Sequence, residues 1–219
     1  MKARLVKHPV EHIVIEDFLN EEDLIEVERE LYNLYHAMFE GEYNDGKGSR
    51  VIEEFKKCLN LNLHAHYGDQ IDLSYLEQTV INKRLFSEEM REFYDSCGSS
   101  SSFSLMNDTD SSYSLLAGFR DGDYYKWHGD LGIVTTNVMI SRNPSFTGGD
   151  FILSNQVKRP NSDRVIGEKL ETIKYPYKKG TAILFPSRFK HCVTKVKTID
   201  NKIENVRFTL QNRCWVNNI

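Results

Sequence analysis

The chain has 219 residues, with 28 Lys plus Arg against 32 Asp plus Glu, 40% hydrophobic and 11% aromatic residues. That is the composition of a globular domain with a proper core, and it excludes disordered and collagen-like classes. A formal charge of −4 gives no electrostatic footprint for a phosphate backbone, and no window reaches the ~20 apolar residues of a membrane span, so neither nucleic acid nor membrane is an expected partner. The opening Met1 to Pro9 leads into no apolar signal segment, which makes a cytoplasmic location the expectation. Cys58, Cys97, Cys192 and Cys214 stand far apart with no C-x-x-C pair, so free thiols are expected rather than a zinc knuckle or a redox motif. Cys192 follows a histidine, but neighbours on a strand point to opposite faces, which argues against a Cys–His nucleophile pair.

The first hundred residues read as helical support. Asn20 with Asp23 three positions on marks a helix start, after which Leu24, Val27, Leu31, Leu34, Tyr35 and Met38 recur at helical spacing. The acidic run Glu16 to Glu30 reads as the solvated face of that helix. Further helical patterns fall at about Arg50–Leu59, Leu73–Phe86 and Ser87–Tyr94, and His64-Ala65-His66 reads as a pair of solvated loop histidines. The serine-rich run Ser96 to Ser102 is a junction. From Tyr113 the period becomes that of strands, near 113–120, 133–141, 149–154, 170–177, 181–185, 191–198 and 205–216. A mainly β, double-stranded β-helix core of the jelly-roll or cupin kind, preceded by N-terminal supporting helices in one domain spanning 1–219, is the expected architecture. The Gly41–Gly48 loop, the serine run and the segment Asn155 to Lys169 are long enough to serve as lids.

In an extended segment His128 and Asp130 share a face, and His191 on a distant strand can close a triangle with them. Two His and one carboxylate on one side of an ion are what non-haem Fe(II) oxygenases use, because three octahedral positions stay open. Taken alone, H-x-D is weak, since chance supplies one in roughly every second chain of this composition. Its company is specific: Y-x-x-H-x-D at Tyr125 to Asp130, Gly148-Gly149-Asp150-Phe151, G-x-A-x-x-F at Gly180 to Phe185, His191 with Val193 and Val196, then Arg207-Phe208-Thr209 and Trp215. With these ordered elements the sequence resembles the 2-oxoglutarate- and Fe(II)-dependent dioxygenases, and within them the prolyl 4-hydroxylase-like branch.

The resemblance implies Fe(II) held by His128, Asp130 and His191, 2-oxoglutarate and dioxygen as cosubstrates, and ascorbate as a candidate reductant. It assigns the 2-oxoglutarate anchor to Arg207. An Arg fork suits a buried dicarboxylate end, and Thr209 and Arg213 share its strand face, with Tyr125 as a further cosubstrate contact. Two tyrosines common in the family are replaced by Phe119 and Ile140, and Tyr113 or Tyr124 could substitute for them. Trp127 is expected to pack. The expected reaction is hydroxylation of a prolyl or other residue in a peptide or protein. Other readings are a free amino acid or small-molecule substrate, an AlkB-like nucleic-acid demethylase suggested by the Arg207 to Arg213 spacing, and a non-catalytic cupin-like metal-binding or sensory protein.

Overall fold

A computed structural model describes residues 1–39, 56–109, 111–158, 165–166 and 170–216. The loop expected at Gly41–Gly48 lies outside them, as does most of the Asn155 to Lys169 segment.

Helix α1 runs Glu21–Phe39 and begins as the sequence predicts. Asn20 Oδ1 accepts from the Asp23 amide (2.9 Å) while Asp23 Oδ2 accepts from the Asn20 amide (2.8 Å), a reciprocal box that satisfies two amides the helix itself cannot. Leu24, Val27, Leu31, Leu34 and Met38 are buried on one stripe. A π-helix at Leu76–Leu85 and helix α3 at Glu88–Ser96, capped by Ser87 Oγ, fulfil two more helical expectations.

Four features of the first hundred residues differ from expectation. Strands β1 (Lys2–Val6), β2 (His12–Glu16), β3 (Lys56–Lys57) and β4 (Leu59–Asn62) lie there, because strands of two to five residues carry no readable period. The described part of the Arg50–Leu59 helical pattern is therefore strand on either side of a bend at Cys58. His64 and His66 sit on a short helix α2, Leu63–Tyr67, with His64 Nε2 3.3 Å from Glu77. The acids of α1 are not all solvated: Glu30 is buried and accepts from Tyr67, Ser74 and the Leu76 amide, and buried Asp23 pairs with Arg84. These two carboxylates fasten α1 to the segment that follows β4.

Two antiparallel sheets form the core, and β8 (Thr147–Gly148) pairs with β14 (Val196–Lys197) as a separate two-stranded ribbon. The larger has the order β1-β2-β12-β7-β15-β5-β4, with β5 at Ser111–Phe119, β7 at Val134–Met139, β12 at Ala182–Pro186 and β15 at Arg207–Trp215. The smaller has the order β10-β9-β13-β6-β3 with β11 also on β9; here β6 is Tyr124–His128, β9 Phe151–Lys158, β10 Val165–Ile166, β11 Thr172–Tyr175 and β13 Phe189–Val193. Strict alternation sorts the larger sheet's two faces. Leu184, Val138 and Leu210 join the helices in one core, whereas Ile183, Phe185 and Met139 meet Phe151 and Leu153 of the smaller sheet. The strand-rich core and its helical buttress agree with the expected architecture, and the residues between the sheets become the interior of the site.

Candidate metal centre

His128 ends β6 and His191 lies on β13, where the two are direct cross-strand partners. Their Nδ1 atoms bond carbonyls of their own strands, Lys126 O at 2.8 Å and Phe189 O at 3.0 Å, which turns both Nε2 atoms inward. Asp130 follows β6 and meets them there, with Oδ1 3.9 Å from His128 Nε2 and Oδ2 3.3 Å from His191 Nε2. One ligand atom from each residue lies within 4.8 Å of the others, and this is the group of possible metal ligands found among the described residues. Its donor set, two imidazole nitrogens and one carboxylate on one side, fits a first-row divalent ion with open positions.

The larger sheet holds the carboxylate. Arg213 Nη2 on β15 lies 2.8 Å from Asp130 Oδ1, and Thr135 on β7 donates to Oδ2 at 3.1 Å. Burial opposes ionisation of Asp130, but His191, Arg213 and His128 outweigh it and hold the carboxyl below the usual range. Burial, with a contribution from His191, keeps His128 well below the ordinary imidazole value, so its ring stays neutral and available as a donor. Phe185 and Phe151 wall the far side, with ring centroids 4.6 and 5.6 Å from that of His191. The Tyr125 ring stacks on His128 at 3.4 Å and 15°.

Arg207 opens β15 and is completely buried. Its Nε donates to Gly149 O at 2.6 Å, its guanidinium lies 5.1 Å from the ring centroids of both Phe119 and Tyr177, and Nη1 and Nη2 have no hydrogen-bond partner among the described residues. Desolvation lowers its pKa to about 10. A buried guanidinium with two unused nitrogens is costly unless an anion meets it. Gly149 makes this arrangement possible: at φ +67°, an added Cβ would lie 2.5 Å from Arg207 Cδ. Farther along the same face Thr209 Oγ1 and Gln211 Oε1 are also buried without partners among the described residues, as is Tyr113 Oη, whose residue lies opposite Arg213.

The structure thus brings His128, Asp130, His191, Arg213, Thr209, Tyr125 and Arg207 onto one interior. Arg213 is engaged with Asp130 rather than with Arg207. Trp127 is more than a third exposed and does not enter the core, since it faces away from the site on β6. The four cysteines are free, and burial pushes Cys192 up to about 11, which leaves it a poor nucleophile. Two residues were not legible in the sequence. Tyr177 covers Arg207 where Tyr113 or Tyr124 was expected, while its hydroxyl accepts from the Ser141 amide and donates to Phe208 O. Lys56, in a segment that reads as helical, is only 1% exposed and lies with Nζ 4.6 Å from the Tyr125 ring centroid. Only the pairing of β3 with β6 reveals it.

Comparison with protein families and with curated proteins gives no sequence match. Solved structures do match. A prolyl hydroxylase from Trichoplax adhaerens, in complex with a hypoxia inducible factor peptide fragment, superposes with a TM-score of 0.59 at 16% identity, covering 94% of this chain and 83% of that one. A prolyl-4-hydroxylase from Pseudomonas putida gives 0.51 at 14%, covering 93% and 91%. The chain has the fold of the 2-oxoglutarate- and Fe(II)-dependent oxygenases. That fold also serves other chemistry: the α-ketoglutarate-dependent epimerase SnoN from nogalamycin biosynthesis matches at 0.54 and 10% identity, covering 92% and 76%.

Proposed function

We propose that this protein is an Fe(II)- and 2-oxoglutarate-dependent hydroxylase of the prolyl 4-hydroxylase type. The observation that carries the reading is the pairing of two incomplete features in one interior. A His-Asp-His cluster can hold a divalent ion, and a wholly buried Arg207, on the same face of β15 as the Arg213 that holds Asp130, carries two nitrogens without a partner among the described residues.

In this reading His128, Asp130 and His191 hold Fe(II), and Arg207 receives the distal carboxylate of 2-oxoglutarate, with Thr209 Oγ1 adjacent on the strand face. When bound, Fe(II), 2-oxoglutarate and dioxygen supply an oxidative decarboxylation to succinate and CO2 coupled to C–H hydroxylation. The chain contributes geometry. The hydrogen bonds of the two Nδ1 atoms fix both ring orientations, Arg213 and Thr135 fix Asp130, and Tyr177 and Phe119 hold the guanidinium plane. Phe151 and Phe185 keep bulk water from the His191 side. Ascorbate is the natural candidate for restoring the ferrous state, and a cytoplasmic location is consistent with four free thiols.

Two of the similar structures are prolyl hydroxylases, one of them bound to a peptide, which favours a peptidyl prolyl acceptor over a free amino acid or other small molecule. The net charge of −4 weighs against the nucleic-acid demethylase alternative, and the Arg207 to Arg213 spacing has a separate explanation in the Arg213–Asp130 pair. Fe(II)-dependent conversion of 2-oxoglutarate to succinate, abolished in His128→Ala, tests the reading. A purified protein that binds Fe(II) but neither binds nor decarboxylates 2-oxoglutarate would instead be the cupin-like binding protein.

A further inference from the structure

A cavity of about 210 Å3 opens where β1 and β2, at the edge of the larger sheet, face β11 of the smaller one. Arg4, Val14 and Ile183 line it in one row, since Arg4 pairs with Val14 and Val14 with Ile183. At about 4.8 Å per strand that row is about 10 Å long. Met139 and Ile183 are completely buried and form the floor. They pack in the layer that contains Phe151 and Phe185, so this layer separates the cavity from His191. Tyr175 forms a fixed wall: its hydroxyl donates to His12 Nε2, while His12 Nδ1 donates to Val10 O.

Two polar groups of the lining have no use within the protein. Thr181 is 5% exposed, and its Oγ1 is buried with no hydrogen-bond partner among the described residues. Its amide is spent on Lys178 O and its carbonyl on the Met139 amide, which leaves the hydroxyl over. Arg4 stands partly exposed at the mouth. Glu16, the acid of the lining, is held by Lys178 at 3.1 Å and feels Arg4 only at longer range.

We propose that this cavity binds a small organic acid, with an apolar body of about one ring inside, a carboxylate on Arg4 at the mouth and a polar atom on the Thr181 hydroxyl at the inner end. An apolar cavity of about 150 Å3 takes a benzene molecule. One of about 210 Å3 has room for a ring with short substituents. The mostly apolar walls disfavour a guest that is polar throughout, and a guanidinium fork matches a carboxylate. The site is distinct from the His-Asp-His centre and from Arg207, and the inference does not rest on the hydroxylase reading.

Calorimetric titration of the full chain tests this with three probes: 4-hydroxyphenylacetate, 4-hydroxyphenylacetamide and phenylacetate. The hydroxylated acid should bind about tenfold or more tightly than its amide and about threefold or more tightly than phenylacetate. Arg4→Gln should erase the first preference and keep the second, whereas the near-isosteric Thr181→Val should erase the second and keep the first. Because each variant acts on one end of the probe, a folding defect, which lowers all binding alike, is told apart from a lost contact. Saturating 2-oxoglutarate with Mn(II) should leave the affinity unchanged. Absence of either preference, including no binding of any probe, overturns the inference, as does a preference that survives its variant. Displacement of the acid by 2-oxoglutarate would put it at Arg207 instead and overturn the inference too, while leaving the hydroxylase reading in place.

Discussion

Replacing Arg207 by Met separates a ligand anchor from a structural arginine, because the two roles predict opposite effects on the empty and loaded protein. In the empty protein the guanidinium is buried, and among the described residues only Nε has a partner. Removing such a charge for an apolar side chain of similar volume gains about 1–4 kcal/mol, while stranding Gly149 O costs about 1–3 kcal/mol, so the two nearly cancel. In the loaded protein Nη1 and Nη2 would each make a hydrogen bond to a carboxylate. At about 1.5–3 kcal/mol apiece, their loss weakens 2-oxoglutarate by roughly a hundredfold to ten-thousandfold. Thermal melts of the metal-loaded protein with and without 2-oxoglutarate measure both quantities at once, since a ligand at free concentration L that binds only the native state stabilises it by RT ln(1 + L/Kd) and raises the melting temperature accordingly. The wild type should be stabilised by 2-oxoglutarate and Arg207→Met should not, with the two melting alike in its absence. A variant that melts many degrees lower when empty yet binds 2-oxoglutarate normally would refute the assignment and make Arg207 a packing residue.

Gly149→Ala should weaken 2-oxoglutarate without loss of metal affinity, because its Cβ collides with Arg207 Cδ and leaves the His-Asp-His cluster untouched; calorimetry with each ligand separately would check this. His128→Ala or Asp130→Ala should abolish specific divalent-ion binding, measured by equilibrium dialysis. Retention of affinity in both would remove the cluster from consideration. Lowering pH should destabilise the metal-free protein. His12 and His128 are held by burial below their ordinary value, so in the folded chain they stay neutral while the unfolded chain takes up protons below about pH 6.5, costing up to about 1.4 kcal/mol per pH unit for each. Asp130, with its lowered pKa, adds a loss of the same sign below about pH 4; denaturant melts that stay level from pH 7 to 5 would contradict the histidine part. Glu30→Ala should cost about 3 kcal/mol or more, since it strands Tyr67, Ser74 and the Leu76 amide in one step, and urea titration reads this directly.

Much of this was legible in the sequence because it depends on period and order. The capping pair Asn20–Asp23, the stripe of α1 and the alternation of β7, β12 and β15 follow from spacing alone, and the sharing of a strand face by Arg207, Thr209 and Arg213 follows from the period of two. What was illegible depends on meetings between distant segments. Lys56 looks like any solvent lysine until β3 joins β6, and Glu30 looks like a surface acid until the segment around Ser74 folds over it. Tyr177 sits outside the motif yet covers Arg207, and Arg213 shows its role only beside Asp130. In each case the local pattern is compatible with exposure, and the tertiary partner decides otherwise.

Strand β15 has one more consequence, for how the molecule is made. It is hydrogen-bonded along both sides, to β5 from Arg207 through Trp215 and to β7 from Thr209 through Cys214, yet both neighbours precede it by a long stretch of chain. Until it arrives, β5 and β7 each present an unpaired edge, and the sheet has a slot at its centre rather than a finished rim. Closing that slot joins β15 to β5 between residues 88 (Arg207 to Phe119) and 104 (Trp215 to Ser111) positions apart, a non-local pairing of the kind that slows folding. Arg207 and Arg213 enter on that same strand. Folding and the assembly of the interior therefore end together, and a partly folded chain displays two sticky edges but no complete anion site.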